Sequence, residues 1–355
     1  MAEFASNGTY YFKNGKILKK YFKQCIVEDN NVNGEFYVSM VYNQMIEDCL
    51  HVEVFEIDKM LQLGTPYDLR IYQQWMHYFE NQRNKPVKSF NAPEGTTLLL
   101  PMAGEGSRFE SEGYREAKPF IKVDDTPMFF RAIKDLPLCE NVILGVLKEH
   151  IEKKSYKERI SSSLETAMVV EIPYITEGQA CTVEVMINKL KIDLENPIII
   201  SACDNGIYYD QDKFKNELEN LENDIVVCSF RNHETSKNNP NTYAWLDVDD
   251  MGFIKHVSCK NFIYDDPLKT HAIIGTMFFR KAKYFLDGLQ QNYLQNIRTN
   301  GEFYVDDVIN QNIKKGLKVK VFEAENYICW GTPDDYKTYN YWKEHYDKNN
   351  AKHKR

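Results

Sequence analysis

Short apolar runs alternate with longer amphipathic stretches along most of the chain. Continuous apolar runs predict buried strands at 97–101, 141–147, 168–172, 197–202, 224–230 and 273–279. Apolar residues at helical spacing predict helices at 126–136, 180–191, 211–221, 305–315 and 334–345. This alternation is typical of an α/β domain with a largely parallel sheet, in which ligands bind beyond the carboxyl ends of the strands.

No apolar run is long enough to cross a membrane. The longest runs, 98–103 and 197–203, are far shorter than the about 20 residues that a membrane helix needs. Residues 1–4 show no basic region followed by an apolar stretch, so no secretory signal is visible. The eight cysteines form no CxxC pair, which favours reduced thiols over disulfides or zinc. We therefore expect a cytoplasmic protein without a membrane span.

Composition adds limits on the partners. The chain has 355 residues, 43% of them hydrophobic and 27% charged, which is ordinary for a globular protein of about two domains. Its net charge of −8 argues against a nucleic-acid partner, which would need a basic face. A small anionic substrate stays compatible with this charge, because a few local cations and a metal can reverse the field in a cleft.

The chain repeats itself at an offset of 267 residues. Residues 33–38 and 300–305 share the sequence NGEFYV, and residues 5–75 match residues 272–342 at 27 of 71 ungapped positions. We interpret this as a duplication. It predicts a partial repeat at 1–80, a polar linker at 81–97, a complete unit at 98–345 and a polar tail at 346–355.

The N-terminal copy matches only the closing third of a unit. It keeps Glu35, but Met40 stands at the position equivalent to Asp307, and it has no glycine-rich loop. It therefore cannot form an active site by itself. A partial sheet would expose a strand edge, so we expect residues 1–80 to pack on the complete unit or on another subunit of a homo-oligomer, unless the chain is a fragment of a longer tandem protein.

A glycine-rich turn follows the first predicted strand of the complete unit. Leu98 to Met102 lead into Ala103-Gly104-Glu105-Gly106-Ser107. Glycines let backbone amides approach phosphate oxygens, and successive amides favour anions. The Walker A pattern is absent, and Phe109 stands where a dinucleotide fingerprint needs its third glycine. Taken alone, the turn is compatible with phosphate binding or with a simple tight connection.

Two cations after the turn make the pattern specific. Arg108 lies next to it, and Lys118-Pro119 follows ten residues later. The pattern PMAGEGSRF…KPFIKVDDTPM resembles the nucleotidyltransferase (nucleotide-sugar pyrophosphorylase) family over about 98–342. The resemblance implies a Rossmann-like, mixed but mostly parallel sheet of the nucleotide-diphospho-sugar transferase type, here preceded by a partial copy of the same fold.

The resemblance also implies roles for individual residues. Arg108 and Lys118 would be catalytic and would hold the phosphates, and Asp204, at the end of a predicted strand, would be catalytic and bind Mg²⁺. Magnesium prefers one or two carboxylates together with substrate phosphates, which fits Asp204. The implied nucleotide-binding residues are Ala103, Gly104, Gly106, Ser107, Gln179 and Thr182, and the implied acceptor-binding residues are Lys260, Gly275, Glu302 and Asp307.

Two positions depart from the family pattern. Cys259 replaces a glutamate next to Lys260, and Cys329 stands where many members have a second metal-binding aspartate. Either Asp204 and the phosphates hold the metal, or another carboxylate substitutes.

The resulting expectation is an enzyme that couples an NTP to a sugar 1-phosphate or a similar small phosphorylated acceptor, releasing pyrophosphate, for surface polysaccharide synthesis. A glycosyltransferase is one alternative, although Asp204-Asn205-Gly206 lacks the usual Asp-x-Asp. A non-catalytic scaffold or regulatory chain is the other, favoured by Cys259 and Cys329 and opposed by Arg108, Lys118 and Asp204. Neither the base nor the acceptor follows from these residues.

Overall fold

The computed structural model describes residues 4–84 and 90–352. It divides the chain into two compact units, one up to Leu69 and one from Arg70 onward. This boundary lies before the predicted end of the partial repeat at residue 80. It falls within the helix Pro66–Asn84, whose residues from Arg70 onward belong to the second unit. Residues 85–89 of the predicted linker lie outside the described residues.

A nine-stranded mixed sheet forms the centre of the second unit. Its strands are β1 (Thr97–Met102), β4 (Asn141–Leu147), β5 (Met168–Ile172), β6 (Ile198–Ser201), β8 (Ile225–Phe230), β9 (Ala244–Val248), β10 (Ile254–Cys259), β11 (His271–Phe279) and β12 (Val319–Glu323). The order is β10-β9-β11-β6-β1-β4-β5, with β8 paired to β11 and β12. Strands β6, β1, β4 and β5 are parallel, whereas β11 is antiparallel to β6, β8 and β9. The mixed, mostly parallel sheet predicted from the sequence is confirmed.

Two short antiparallel pairs complete the strands. They are β2 (Lys122–Val123) with β3 (Thr126–Pro127), and β7 (Asn205–Tyr208) with β13 (Asn326–Cys329). Each of the six predicted strands is present, with bounds that differ by no more than two residues. The short strands were not predicted, because two to four residues carry no periodic pattern.

Helices make up most of the remaining regular structure. Those of the first unit are α1 (Gly15–Val27) and α2 (Val38–Glu47), followed by α3 (Pro66–Asn84), which spans the boundary between the units. The others are α4 (Ser107–Ser111), α5 (Met128–Ile133), α6 (Lys148–Glu152), α7 (Lys154–Ser163), α8 (Gln179–Leu190), α9 (Gln211–Glu219), α10 (Ala282–Gln295), α11 (Val305–Lys314) and α12 (Pro333–Lys352). Helix α12 extends well into the predicted polar tail, where Tyr346, the one aromatic residue of that tail, is buried.

The sheet has an apolar core on each face. Neighbouring residues of β1 point to opposite sides, as the pleat requires: Leu99 packs with Val183 of α8 and Leu289 of α10, whereas Leu98 packs with Phe214 of α9. Because β1 is buried along its whole length, it fixes the position of the loop that follows it.

The helices of the two copies correspond, but the strands do not. Adding 267 to the bounds of α2 gives those of α11, and α1 and α3 correspond to α10 and α12 within one residue. Residues 5–12 and 52–56, which correspond to β11 and β12, form no strand. Their sheet partners lie in segments that the N-terminal copy lacks, so their backbones have no ladder to join. The strand edge expected in this copy is therefore absent from residues 4–69.

Candidate functional site

The parallel strands direct three loops to one edge of the sheet. Residues 103–106 follow β1, residues 173–178 follow β5, and residues 202–204 follow β6. The carboxyl edge of a parallel sheet is where such folds bind ligands, so the candidate residues in these loops share a location.

The glycine-rich loop offers free backbone donors. Gly106 has a left-handed backbone (φ 66°), and a Cβ on it would lie 3.2 Å from Cβ of Lys118. Phe109 is buried and anchors the far end of the loop. Among the described residues, no protein group accepts a hydrogen bond from the amides of residues 104–106. Unpaired amides in a row form an anion-binding concavity.

Lys118 and Asp204 meet at this edge. Lys118 begins a short 3₁₀ helix, Lys118–Phe120, which is held by the ring of Phe120 stacked 4.0 Å from that of Tyr156. Its ammonium group donates a hydrogen bond to Oδ2 of Asp204 and forms an ion pair with it. The two side chains are 19% and 25% exposed, so the pair lies in a recess that a solute can reach.

The electrostatics keep both groups charged. Burial alone would raise the pKa of Asp204, but Lys118, with Arg108 in support, lowers this pKa below its usual value. Burial likewise opposes the charge on Lys118, and Asp204 raises the pKa of Lys118 above its usual value. Arg108 is exposed, so its guanidinium is free to bind a solute while its charge acts on the recess.

Two glycines surround Asp204. A Cβ on Gly331 would lie 3.0 Å from Oδ2 of Asp204, so a larger residue here would press against this carboxylate. The carbonyl of Gly275 accepts a hydrogen bond from the amide of Ala202 (3.0 Å), two residues before Asp204. The structure thus brings Gly275 to the same strand end.

A second carboxylate, Asp335, lies beside Cys329. The thiol of Cys329 donates to Oδ2 of Asp335 (3.3 Å), and burial raises the pKa of Cys329 to about 12. Asp335 also accepts a hydrogen bond from the hydroxyl of Thr332, and the Asp335 amide donates to that hydroxyl at the start of α12. In the N-terminal copy, Asp68 and Thr65 form the same two hydrogen bonds. Because that copy has no metal acid, the capping role accounts for Asp335.

The second glycine-bearing loop is held against the segment that precedes α11. Gly178 has φ 134°, and a Cβ on it would lie 2.5 Å from the carbonyl oxygen of Phe303. Phe303 exchanges backbone hydrogen bonds with Glu177 and Ala180, which places Gln179 next to the Gly301-Glu302 turn. Gln179 is partly exposed, as a ligand contact requires.

The expected nucleotide contact of Thr182 needs correction. Thr182 is 3% exposed, and its hydroxyl is 2.7 Å from that of Thr176. A hydroxyl engaged and buried in this way supports the loop and is not available to a base. The position of Thr182, one turn after the first residue of α8, does not reveal this burial from the sequence alone.

Three of the four acceptor candidates, Lys260, Glu302 and Asp307, lie apart from Gly275. The ammonium group of Lys260 lies 5.7 Å from the ring of Tyr304, and Glu302 is hydrogen-bonded to the same tyrosine, whose pKa burial raises to about 12. Asp307 is buried and accepts from the hydroxyl of Thr299 (2.8 Å). Among the described residues, no direct contact joins Lys260, Glu302 or Asp307 to Lys118 or Asp204.

Sequence reasoning missed the buried pair behind the site. Arg131 binds both carboxylate oxygens of Asp135 at 2.9 Å, and Oδ2 of Asp135 also accepts from the amide of Ile207 (3.2 Å). A Cβ on Gly206, two residues after Asp204, would lie 3.1 Å from the same oxygen. Two opposite charges four residues apart, within a mainly apolar predicted helix, were the available indication.

The side chains around Asp204 can bind magnesium in one arrangement. Asp204 supplies a hard oxygen, whereas the protonated thiol of Cys329 is a poor ligand for a hard cation. In residues 4–84 and 90–352, no group of three or more His, Cys, Asp or Glu side chains could hold a metal ion. One carboxylate together with substrate phosphates is therefore the arrangement that these residues allow.

Comparisons with known proteins define the fold. The chain has 18% identity to a nucleoside-diphosphate-sugar pyrophosphorylase structure from Vibrio cholerae RC9, with a TM-score of 0.56 over 68% of this chain and 98% of that one. It has 16% identity to an inositol-1-phosphate CTP transferase structure from T. maritima, with a TM-score of 0.52 over 72% and 97% of the two chains. No family model and no curated protein sequence matches. The chain therefore has the nucleotide-diphospho-sugar transferase fold.

One further finding concerns membranes. None of the helices within 4–84 and 90–352 combines the length and apolar character that a membrane span requires.

Proposed function

We propose that this protein is a nucleotidyltransferase that joins the nucleotidyl group of an NTP to a small phosphorylated acceptor. The observation that carries the proposal is the Lys118–Asp204 ion pair beside the unpaired amides of residues 104–106. The fold shared with a pyrophosphorylase and a CTP transferase supports the same reaction class.

The reaction needs positioning and charge compensation. A phosphate oxygen of the acceptor attacks the α-phosphorus of the NTP, the bond from the α-phosphorus to the bridging oxygen breaks, and pyrophosphate leaves. The nucleophile is already an anion, so no general base is required. Catalysis then consists of holding two mutually repelling anions in line.

The residues at the sheet edge fit these tasks. The amides of Gly104 and Gly106, with Ala103 and Ser107 next to them, bind the triphosphate, and Arg108 neutralises its outer charge. Lys118 turns from Asp204 to the phosphates and bridges the α-phosphate and the acceptor. Gln179 contacts the base or ribose from the neighbouring loop.

Asp204 is the residue that would hold Mg²⁺. When bound, the ion would offset negative charge on the α-phosphoryl group. The ion pair with Lys118 keeps this carboxylate ionised before substrate binds.

The proposed acceptor and biological setting rest on the sequence resemblance to the nucleotidyltransferase family. A sugar 1-phosphate is the proposed acceptor, with Lys260, Gly275, Glu302 and Asp307 as its proposed contacts. Surface polysaccharide synthesis in the cytoplasm is the proposed setting.

A pyrophosphate-release screen tests the proposal. Purified protein with Mg²⁺ is given CTP, UTP, dTTP, GTP or ATP with sugar and non-sugar phosphates in turn. We expect release that requires one NTP together with one acceptor class. Sugar transfer from a nucleotide sugar without pyrophosphate release would support a glycosyltransferase instead. Nucleotide binding without turnover for every pair would support a regulatory chain.

A further inference from the structure

Helices α3 and α12 pack side by side in the same direction. Trp75 stacks on Trp342 with ring centroids 6.5 Å apart and an interplanar angle of 14°. One turn further along, the rings of Phe79 and Tyr346 are 5.3 Å apart. Another turn along, Nη1 of Arg83 donates to Oδ1 of Asn350 at 2.8 Å. All three pairs have the offset of 267, so each residue meets its own equivalent in the other copy.

Some contacts beside this line are also matched. The centroids of Tyr72 and Trp342 are 5.9 Å apart at 68°, and those of their counterparts, Tyr339 and Trp75, are 6.1 Å apart at 63°. Within the helices, Trp75 and Tyr78 are 6.3 Å apart at 87°, and Trp342 and His345 are 6.4 Å apart at 86°. Swapping the two helices therefore reproduces the central line and this flanking pair, which is the property of a twofold axis between them. The ring pairs Phe79–Tyr339 and Tyr72–His345 have no counterpart among the described contacts, so the symmetry holds for part of the interface.

An interface of this kind is self-complementary. In a symmetric dimer, residue i of one subunit contacts residue j of the other, and j contacts i. Here the two members are helices of one chain, and the copies differ enough in sequence that the symmetry is approximate.

We propose that the aromatic face of α12 fits the α12 of a second copy of this chain, and that α3 occupies this surface within the chain. The last helix of the partial repeat then acts as an internal partner for the last helix of the complete unit. The proposal does not depend on the catalytic one.

The burial of aromatic side chains between α3 and α12 explains what α3 contributes to the chain. Phe79 is 2% exposed, and on α12 Tyr339, Trp342 and Tyr346 are all buried. Without α3, these side chains would form a continuous apolar patch, and such patches associate with a partner.

Weakening α3 in the full chain tests the proposal. The background carries Cys49→Ser, because Cys49 is exposed. We expect Trp75→Ala/Phe79→Ala to double the mass found by sedimentation velocity relative to the unmodified chain. In that dimer, Asn350→Cys should give an interchain disulfide, because position 350 would meet its own equivalent, as it meets Arg83 now. Adding Trp342→Ala should restore the original mass.

The matched control is Asn340→Cys, an exposed position on the opposite face of α12. An unchanged mass for the folded α3 variant would overturn the proposal, as would disulfide cross-linking of the Asn340→Cys variant as strong as that of the Asn350→Cys variant. If the double variant does not fold, Tyr72→Ala loosens only the partly exposed edge of the interface. We expect Asn350→Cys to form more interchain disulfide in the Tyr72→Ala variant than in a chain with an unmodified α3. The absence of an increase would overturn the proposal.

Discussion

The electrostatic recess at Asp204 makes the sharpest residue-level prediction. Arg108→Ala or Asp204→Asn should each lower kcat/KM by about 10²- to 10³-fold, the scale for removing one preorganised electrostatic group. Arg108→Ala removes a positive charge, and Asp204→Asn removes the proposed Mg²⁺ ligand, so each change reduces the charge compensation that the in-line attack needs. Steady-state pyrophosphate release measures the effect once a substrate pair is known.

The control is Arg231→Ala. Arg231 is paired with Glu323 at the β8–β12 edge, and such partly exposed pairs contribute about 0.2–1 kcal/mol or less to stability. We expect little change in kcat/KM. Full activity of a folded Arg108→Ala or Asp204→Asn variant would show that the altered residue has no part in catalysis.

At the residue scale, the sequence predicted those site residues that belong to its recognisable motifs. Gly104, Gly106, Arg108, Lys118 and Asp204 lie on loops whose sequence and place after a strand are visible in the chain. Whether a hydroxyl such as that of Thr182 points out or in depends on packing from distant segments. The sequence pattern does not contain that information.

The contact between the Gly178 loop and the segment before α11 belongs to the element scale. Gly178→Ala should destabilise the protein by about 1–3 kcal/mol and raise KM for the nucleotide, because the new Cβ would displace the backbone at Phe303. Gly316→Ala is the control: its φ is +85° and its Cβ would meet nothing within 4 Å. It should cost only the backbone strain and leave KM unchanged. Equal KM values for both variants would contradict the role of this loop.

The Arg131–Asp135 pair links α5 to β7. Arg131→Met should reduce the free energy of unfolding by about 3–5 kcal/mol, because it leaves an uncompensated buried carboxylate. Arg131→Met/Asp135→Leu should recover part of that loss, since both charges are removed. Urea unfolding measures both. A single variant as stable as the unmodified chain would show that the pair does not support the strand after Asp204.

At the element scale, apolar runs predicted the central strands because burial on both faces leaves a continuous pattern. Residues 52–56 match β12 at four of five positions but form no strand, since a strand needs neighbours as well as a pattern. The helices of the N-terminal copy form because their hydrogen bonds are internal to each segment. This difference explains why the copied helices persist and the copied strands do not.

For the whole molecule, the half-buried His271 sets a pH dependence. Burial and Arg231 lower the pKa of His271 to about 4, against the opposing charge of Glu323, and its Nδ1 is 2.9 Å from Oγ of Ser229. In the unfolded chain this histidine binds its proton near the ordinary pKa of 6.5. Stability is therefore full above that pH and falls as the pH drops toward 4, by at most about 1.4 kcal/mol for each pH unit.

Unfolding curves at about pH 7.5 and about pH 5 test this. His271→Gln should lose part of the difference between the two free energies of unfolding, whereas His256→Gln, at an exposed position, should keep it. An unchanged difference in the His271 variant would contradict the assigned pKa shift.

At the scale of the molecule, the acidic composition argued against a nucleic-acid partner, and the repeat predicted two copies of one segment. Neither showed that α3 would pack on α12, because that contact depends on aromatic side chains brought together over 267 positions. The net charge of −8 is compatible with a phosphate site, since Arg108, Lys118 and the amides concentrate positive potential in one recess.

The most direct test of nucleotidyl transfer follows two labels. An NTP labelled at the α-phosphorus and a second sample labelled at the γ-phosphorus are incubated with the acceptor found in the screen. We predict that the α label appears in the nucleotidyl-acceptor product and the γ label in pyrophosphate, in equal amounts, and that Asp204→Asn slows both together. Release of the γ label as inorganic phosphate, or an α label that never reaches the acceptor, would contradict the assignment.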